Sequence, residues 1–179
     1  MMIGQVYDRY RELLLRYAQG RILKTDCFNE GLDDFRYLGG ILPKDTIYLE
    51  IDPAIIERAK TKHLDYDLRQ GDIRCLPFNN GFFDTVFDLS TLDHIPQKDV
   101  ATALGEYRRV LIGYGLLVLV VWCSEGETGF VEWGDGPQYF FEESAVLNGL
   151  AGFHILDREV IHRGDGIYLV NFIARKEAK

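Results

Sequence analysis

Apolar residues recur at helical spacing near the start of the chain. Val6, Tyr10, Leu13, Leu14 and Tyr17 fall on one face, with Arg9, Arg11 and Arg16 between them. The pattern predicts a helix over Gly4 to Tyr17, closed by Gln19-Gly20. The period then shortens. Extended runs follow at Arg21 to Thr25, Thr46 to Ile51, Asp67 to Gln70, Phe83 to Leu89 and Leu116 to Cys123, bounded by Gly, Pro, Asn and Asp. These are the predicted strands. Helices are predicted between them: a short one at Gly31 to Leu38, one over Ala54 to Lys60, and one over Pro96 to Leu111. Asp52 is suited to cap the second, with Pro53 as its first residue. Leu116 to Cys123 is apolar on both faces, as a central parallel strand should be. A glycine-rich loop, Glu125 to Pro137, precedes a helix at Glu142 to Leu150. A hairpin ends the chain: Phe153 to His162, a turn at Arg163-Gly-Asp-Gly166, and Ile167 to Ala174.

Strands alternating with helices predict an α/β fold with helices on both faces of a mostly parallel sheet. The closing hairpin predicts seven strands in the order 3-2-1-4-5-7-6, the last one antiparallel. With 179 residues the chain is expected to form one domain, 1–179, with a helix over 1–19 and a substrate loop at 125–141.

Composition narrows the function classes. The chain is 47% hydrophobic and 27% charged, an ordinary globular balance. Its net charge of −8 and scattered basic residues argue against a nucleic-acid partner. The longest apolar run, Leu116 to Trp122, is too short to span a bilayer, so no membrane partner is expected. Met1 to Asp8 lacks the features of a signal peptide, which makes a cytoplasmic location the expectation. A homodimer stays open. Cys27, Cys75 and Cys123 are odd in number and show no metal spacing, and no metal is expected. Cys75 and Cys123 read as small core residues, while Cys27 is a candidate to face the turn after the first strand.

That turn, Asp26 to Gly31, and the second strand ending in Glu50 form the strand–turn–helix–strand arrangement by which α/β folds hold nucleosides. Further pieces stand in order. These are Tyr48-Leu-Glu-Ile-Asp-Pro53, Gln70-Gly-Asp-Ile73, Leu76-Pro-Phe78 with Phe83-Asp-Thr-Val86, and Glu106-Tyr-Arg-Arg-Val-Leu111 followed by Gly113-Tyr-Gly-Leu-Leu-Val118. Over roughly residues 20 to 124 the chain resembles the class I S-adenosylmethionine-dependent methyltransferases of the small-molecule type. The resemblance implies the Rossmann-like methyltransferase fold, S-adenosyl-L-methionine as cofactor, and a small-molecule acceptor. It departs from the family at the first loop. Lys24 stands where an acid is common, and Asp26 and Phe28 stand where glycines are common. Leu23 to Asp26 and Ser90 to His94 are similar to segments of a methyltransferase-like subgroup with this variant turn.

The resemblance implies residue roles, each with a plainer alternative. Glu50 would take both ribose hydroxyls in a bidentate pair, or be a solvated strand-end acid. Asp72 would accept the adenine amino group beside the Ile73 N–H, or be a turn residue after Gly71. Backbone N–H groups of the Asp26 to Gly31 turn would bind the methionyl carboxylate, with Asp26 or Asn29 taking the ammonium. Alternatively, Asp26 and Phe28 fill the space glycines would leave open. The expected cofactor-binding set is Thr25, Asp26, Phe28, Asn29, Glu50, Ile51, Asp72, Ile73, Leu89 and Ser90. His94, and less so Asp93, are the candidate general bases at the end of the fourth strand. Otherwise His94 packs or caps at the following helix. The aromatic residues between Phe130 and Phe141, Trp133 among them, either line an acceptor pocket or cover the core or a dimer contact. A non-catalytic protein on the same fold, binding cofactor or a protein partner, is the main rival. A nicotinamide-dependent oxidoreductase is disfavoured because the turn lacks the glycines that admit a pyrophosphate.

Overall fold

The computed structural model describes residues 3–126, 129–133, 136–163 and 166–178. The side chains of Ile3, Glu132 and Trp133, and all of Asp135, Gly164 and Asp165, lie outside the description.

The elements follow the predicted alternation. They are α1 (Ile3–Tyr17), β1 (Ile22–Lys24), β2 (Ile47–Glu50), α2 (Pro53–Lys60), β3 (Asp67–Gln70), β4 (Phe83–Leu89) and α3 (Val100–Val110). Then come β5 (Leu111–Ser124), β6 (Gly129–Trp133), β7 (Gly136–Phe140), α4 (Glu143–Gly149), β8 (Phe153–His162) and β9 (Ile167–Lys176). Seven strands form one sheet in the order β3-β2-β1-β4-β5-β9-β8. Strands β1 to β5 pair in parallel, and β9 runs antiparallel to both β5 and β8. This is the predicted order, with β8 and β9 as the hairpin. Strands β6 and β7 form a separate two-stranded ribbon in the region expected to be a loop.

Side-chain alternation along β5 explains its unbroken apolar run. Leu117, Leu119 and Val121 pack with Val100, Leu104, Tyr107 and Val146 of α3 and α4. Leu116, Val118 and Val120 pack with Val6, Leu13 and Leu14 of α1 and Ile56 of α2. Both faces are therefore covered, and neither can carry polar residues cheaply.

Three local expectations change. No helix forms over Gly31 to Leu38. A single 3-10 turn, Asn29–Gly31, is followed by an Asx-type turn, in which Asp34 Oδ1 accepts the Arg36 N–H at 2.9 Å. Asp34 O also accepts the Tyr37 N–H at 3.0 Å. The aspartate competes with the helical hydrogen bonds that would have formed there. Gly113-Tyr-Gly115 is a bulge within β5 rather than a turn before it: the register with β4 slips between Phe83 and Thr85, and Tyr114 adopts φ 64°. Cys75 is exposed on the loop after β3, whereas Cys123 and Cys27 are buried.

At the carboxyl end of β4, Asp88 joins three elements. Its Oδ1 accepts the N–H groups of Thr91 (2.8 Å) and Leu92 (3.2 Å), and its Oδ2 accepts the Tyr107 hydroxyl of α3 at 2.6 Å. Burial pushes the Asp88 carboxyl up to about 6, against the pull of these hydrogen bonds. The folded chain then holds this proton more tightly than the unfolded one. Its contribution, at most about 3 kcal/mol, is present below the ordinary aspartate pKa and lost as pH rises through about 6. Burial raises Asp93 as well, with the same sign. The ligand-free protein is accordingly expected to melt at a higher temperature at pH 5 than at pH 7.5, and Asp88→Asn should flatten that slope. A melting temperature that climbs over this range would contradict it.

Candidate active site

A cavity of about 710 Å³ opens at the carboxyl ends of β1, β2, β4 and β5. It lies where the strand order reverses between β1 and β4, the position at which open α/β sheets bind ligands. Its volume is in the range of small-molecule sites.

One half is built by β1, β2, β3 and the turns that follow them. Glu50 ends β2 and is only 7% exposed. Its Oε1 accepts the N–H groups of Ile51 (2.8 Å) and Asp52 (3.1 Å), which holds the carboxylate at the cavity wall. Burial raises its pKa, partly offset by backbone hydrogen bonds. Asp52 caps α2 through the Ala54 N–H at 2.8 Å, as the sequence suggested. Asp72 and Ile73 border the same wall, but the Asp72 carboxylate is already engaged by Arg74. The Arg74 N–H and Nε both donate to Oδ1, at 2.8 and 3.0 Å, and a terminal nitrogen donates to Oδ2 at 2.6 Å. Arg74 is also paired to Asp99 at 3.1 Å and itself lines the cavity.

The turn after β1 departs from the expected anion site. The Phe28 N–H is taken by Asp26 Oδ1 at 3.1 Å and the Gly31 N–H by Phe28 O. The intervening helix is a single 3-10 turn, so its amino end offers little to a carboxylate. Thr25 Oγ1 donates to Thr91 Oγ1 (2.8 Å), which in turn donates to Asp26 Oδ2 over a long 3.4 Å. Thr25, Asp26, Phe28 and Asn29 all border the cavity, though Asn29 Nδ2 is committed to Arg36 O at 3.0 Å. Cys27 is buried and does not line the cavity.

The other half lies beyond β4 and β5. Leu89, Ser90, Thr91 and His94 line it. Ser90 adopts φ 69°, a conformation uncommon for a residue with a side chain, and such strain concentrates at ligand sites. Its Oγ lies 2.6 Å from the Tyr10 hydroxyl of α1. The His94 Nδ1 lies 3.0 Å from the Pro137 carbonyl. A carbonyl only accepts, so Nδ1 carries the proton and neutral His94 has its lone pair on Nε2. Asp93 differs from expectation. It is wholly buried, its Oδ1 accepts the Trp122 N–H at 3.0 Å, and it does not reach the cavity. Its carboxyl secures the turn after β4, so it cannot meet an acceptor directly.

Of the aromatic residues expected between Phe130 and Phe141, Phe140 reaches the cavity, with Pro137 and Gln138 beside it. Phe130 is 58% exposed and packs on Tyr139, and Phe141 belongs to the core. The Trp133 side chain is outside the described residues. Sequence reasoning missed Tyr7, Tyr10, Trp122 and Arg74, which line the cavity. Trp122 at the end of the central strand was a readable signal; Tyr7 and Tyr10, one helical turn apart, carry a signal indistinguishable from core packing. Among the described residues no group of His, Cys, Asp or Glu is arranged to hold a metal ion. No described helix is long and apolar enough to cross a membrane.

Residues 11–119 match the family model described as "Methyltransferase domain". No curated protein matches the chain. Among solved structures, the fold resembles an S-adenosylmethionine-dependent methyltransferase from Methanosarcina mazei at 17% identity, covering 91% of this chain and 96% of that one, with a TM-score of 0.75. An S-adenosylmethionine-dependent methyltransferase from Mesorhizobium loti gives 16% identity, 96% and 98% coverage and a TM-score of 0.72. The 1,6-didemethyltoxoflavin-N1-methyltransferase of Burkholderia thailandensis gives 17% identity, 98% and 80% coverage and a TM-score of 0.68. With more than half its length matched by the family model, the chain belongs to the methyltransferase domain family, and its mixed seven-stranded sheet has the Rossmann-like fold.

Proposed function

We propose that the protein transfers the methyl group of S-adenosyl-L-methionine to a small-molecule acceptor. The observation that carries this reading is that one cavity is lined both by Glu50, Asp72, Ile73 and Asp26 and by the aromatic residues Tyr7, Tyr10, Trp122 and Phe140. The polar half fits the cofactor. Glu50 would accept the ribose hydroxyls with the carboxylate its backbone contacts hold in place. Ile73 would present its N–H and an apolar face to the adenine, with Asp72 held by Arg74 beside it. Asp26 would take the ammonium group.

S-adenosylmethionine supplies an activated methyl group on a cationic sulfur, and the chain must present a nucleophile in line with it. Alignment by the aromatic walls would supply much of the rate. His94 Nε2 would take a proton from an acceptor that must lose one. The toxoflavin-type relative is a small-molecule methyltransferase, which supports the same acceptor class here.

Two outcomes are expected. Glu50→Ala should weaken S-adenosylhomocysteine binding roughly ten- to hundred-fold, about 1.4–2.8 kcal/mol, by calorimetry. Its two backbone contacts make a small drop in the ligand-free melting temperature expected too. Unchanged affinity with a lowered melting temperature would make Glu50 structural and remove the ribose site. For the acceptor half, phenols, aromatic amines and N-heterocycles can be screened for uptake of a radiolabelled methyl group. With an acceptor so found, His94→Gln should lower kcat by about 10²–10⁴-fold and leave S-adenosylhomocysteine affinity within about two-fold. An unchanged kcat would rule out His94 as the base.

A further inference from the structure

The buried lysine at the end of β1 is explained neither by the family fold nor by the cofactor contacts above. Lys24 is 0% exposed, between the sheet and the turn after it. Its Nζ donates to Asp26 O (3.1 Å) and Glu30 Oε2 (3.1 Å), lies 3.0 Å from Asp26 Oδ1, and stands 6.0 Å from the centre of the Tyr48 ring. Glu30 is 1% exposed, and its Oε1 has no hydrogen-bond partner among the described residues. An interior ammonium is costly unless it is paired. Burial lowers the Lys24 pKa, but Asp26 and Glu30 more than reverse this, so the lysine stays charged.

All three charges sit within seven residues, and of the three only Asp26 borders the cavity. Lys24 and the Phe28 N–H clamp Asp26 Oδ1, while Oδ2 has only the long Thr91 contact. Glu30 Oε2 gives Lys24 a second partner at 3.1 Å, so the lysine is not held by Asp26 alone; burial raises the Glu30 pKa to about 7, against the downward pull of Lys24.

We propose that Lys24 is a positioning residue for the amino-acid end of the cofactor. Its tether to the main-chain oxygen and Oδ1 of Asp26 sets the turn so that Oδ2 meets the ammonium. The buried ion cluster thus does what close backbone approach does in a glycine turn. The inference rests on the cofactor reading above.

The test compares S-adenosylhomocysteine with methylthioadenosine, which has the adenosine and thioether but no amino-acid group. The wild-type protein should prefer S-adenosylhomocysteine by about ten-fold or more. The double variant Lys24→Met/Glu30→Gln removes the ammonium and its second carboxyl partner and leaves the Asp26 side chain in place. Its preference should fall below about three-fold, with methylthioadenosine affinity within about two-fold of wild type. A preserved preference, or an equal loss for both ligands, would overturn the positioning role. Wild-type protein that binds neither ligand would instead overturn the cofactor reading itself. A second measurement needs no variant: with the lysine side-chain nitrogens isotope-labelled, a protected Lys24 ammonium signal should shift with S-adenosylhomocysteine and not with methylthioadenosine. A signal indifferent to both would refute the proposal even if the double variant failed to fold.

Discussion

Three residues, Ile22 to Lys24, hold the two halves of the sheet together. Through them β2 and β3 on one side join β4, β5, β9 and β8 on the other, by parallel pairing of Leu23 with Ile47 and Val86 and of Lys24 with Tyr48 and Phe87. The strand order reverses here, so the connections leaving β1 and β4 diverge and open a crevice between them. The cavity occupies that crevice. A strand this short and fully buried has little pairing of its own. Two polar clusters stand at its carboxyl end, Lys24–Asp26–Glu30 and the Asp88 network.

Buried charge is concentrated at this edge of the sheet. Lys24, Glu30, Asp88 and Asp93 are all buried, and each has found partners: an opposite charge, a phenol, or backbone N–H groups. Breaking one such contact leaves an uncompensated group in a dry interior, so these residues constrain each other's positions more than apolar neighbours would. Among the described residues, Glu30 Oε1 is where that satisfaction is incomplete. Rigidity at this edge is what a methyl-transfer site requires, since attacker and methyl must be held in line.

The two halves of the cavity have different physical character. The half beside β1, β2 and β3 is assembled from strand ends and tight turns, where side chains are held by local contacts: Glu50 by the next two N–H groups, Asp72 by Arg74, Asp26 by Phe28 and Lys24. The half beyond β4 and β5 draws Tyr7 and Tyr10 from α1, Trp122 from β5, and Phe140 and Pro137 from the ribbon, segments far apart in the chain. The shape of that half therefore depends on long-range packing, while the other depends on short-range geometry.

This division explains what was legible in the chain. The strand order and the covered sheet followed from periodicity and strand ends, which are local properties of the chain, and the family resemblance singled out Glu50, Asp72 and Ile73, which border the cavity. The Gly31 to Leu38 helix failed because the Asp34 side chain offered its backbone a different set of hydrogen bonds. The position of Asp93 behind Trp122 rather than at an acceptor, the chamber formed by Tyr7 and Tyr10, and the pairing of Lys24 with Glu30 were set by packing between elements. A lysine in an apolar strand shows its charge in the sequence, but only the folded turn shows which acids neutralise it and which of them remains turned toward the site.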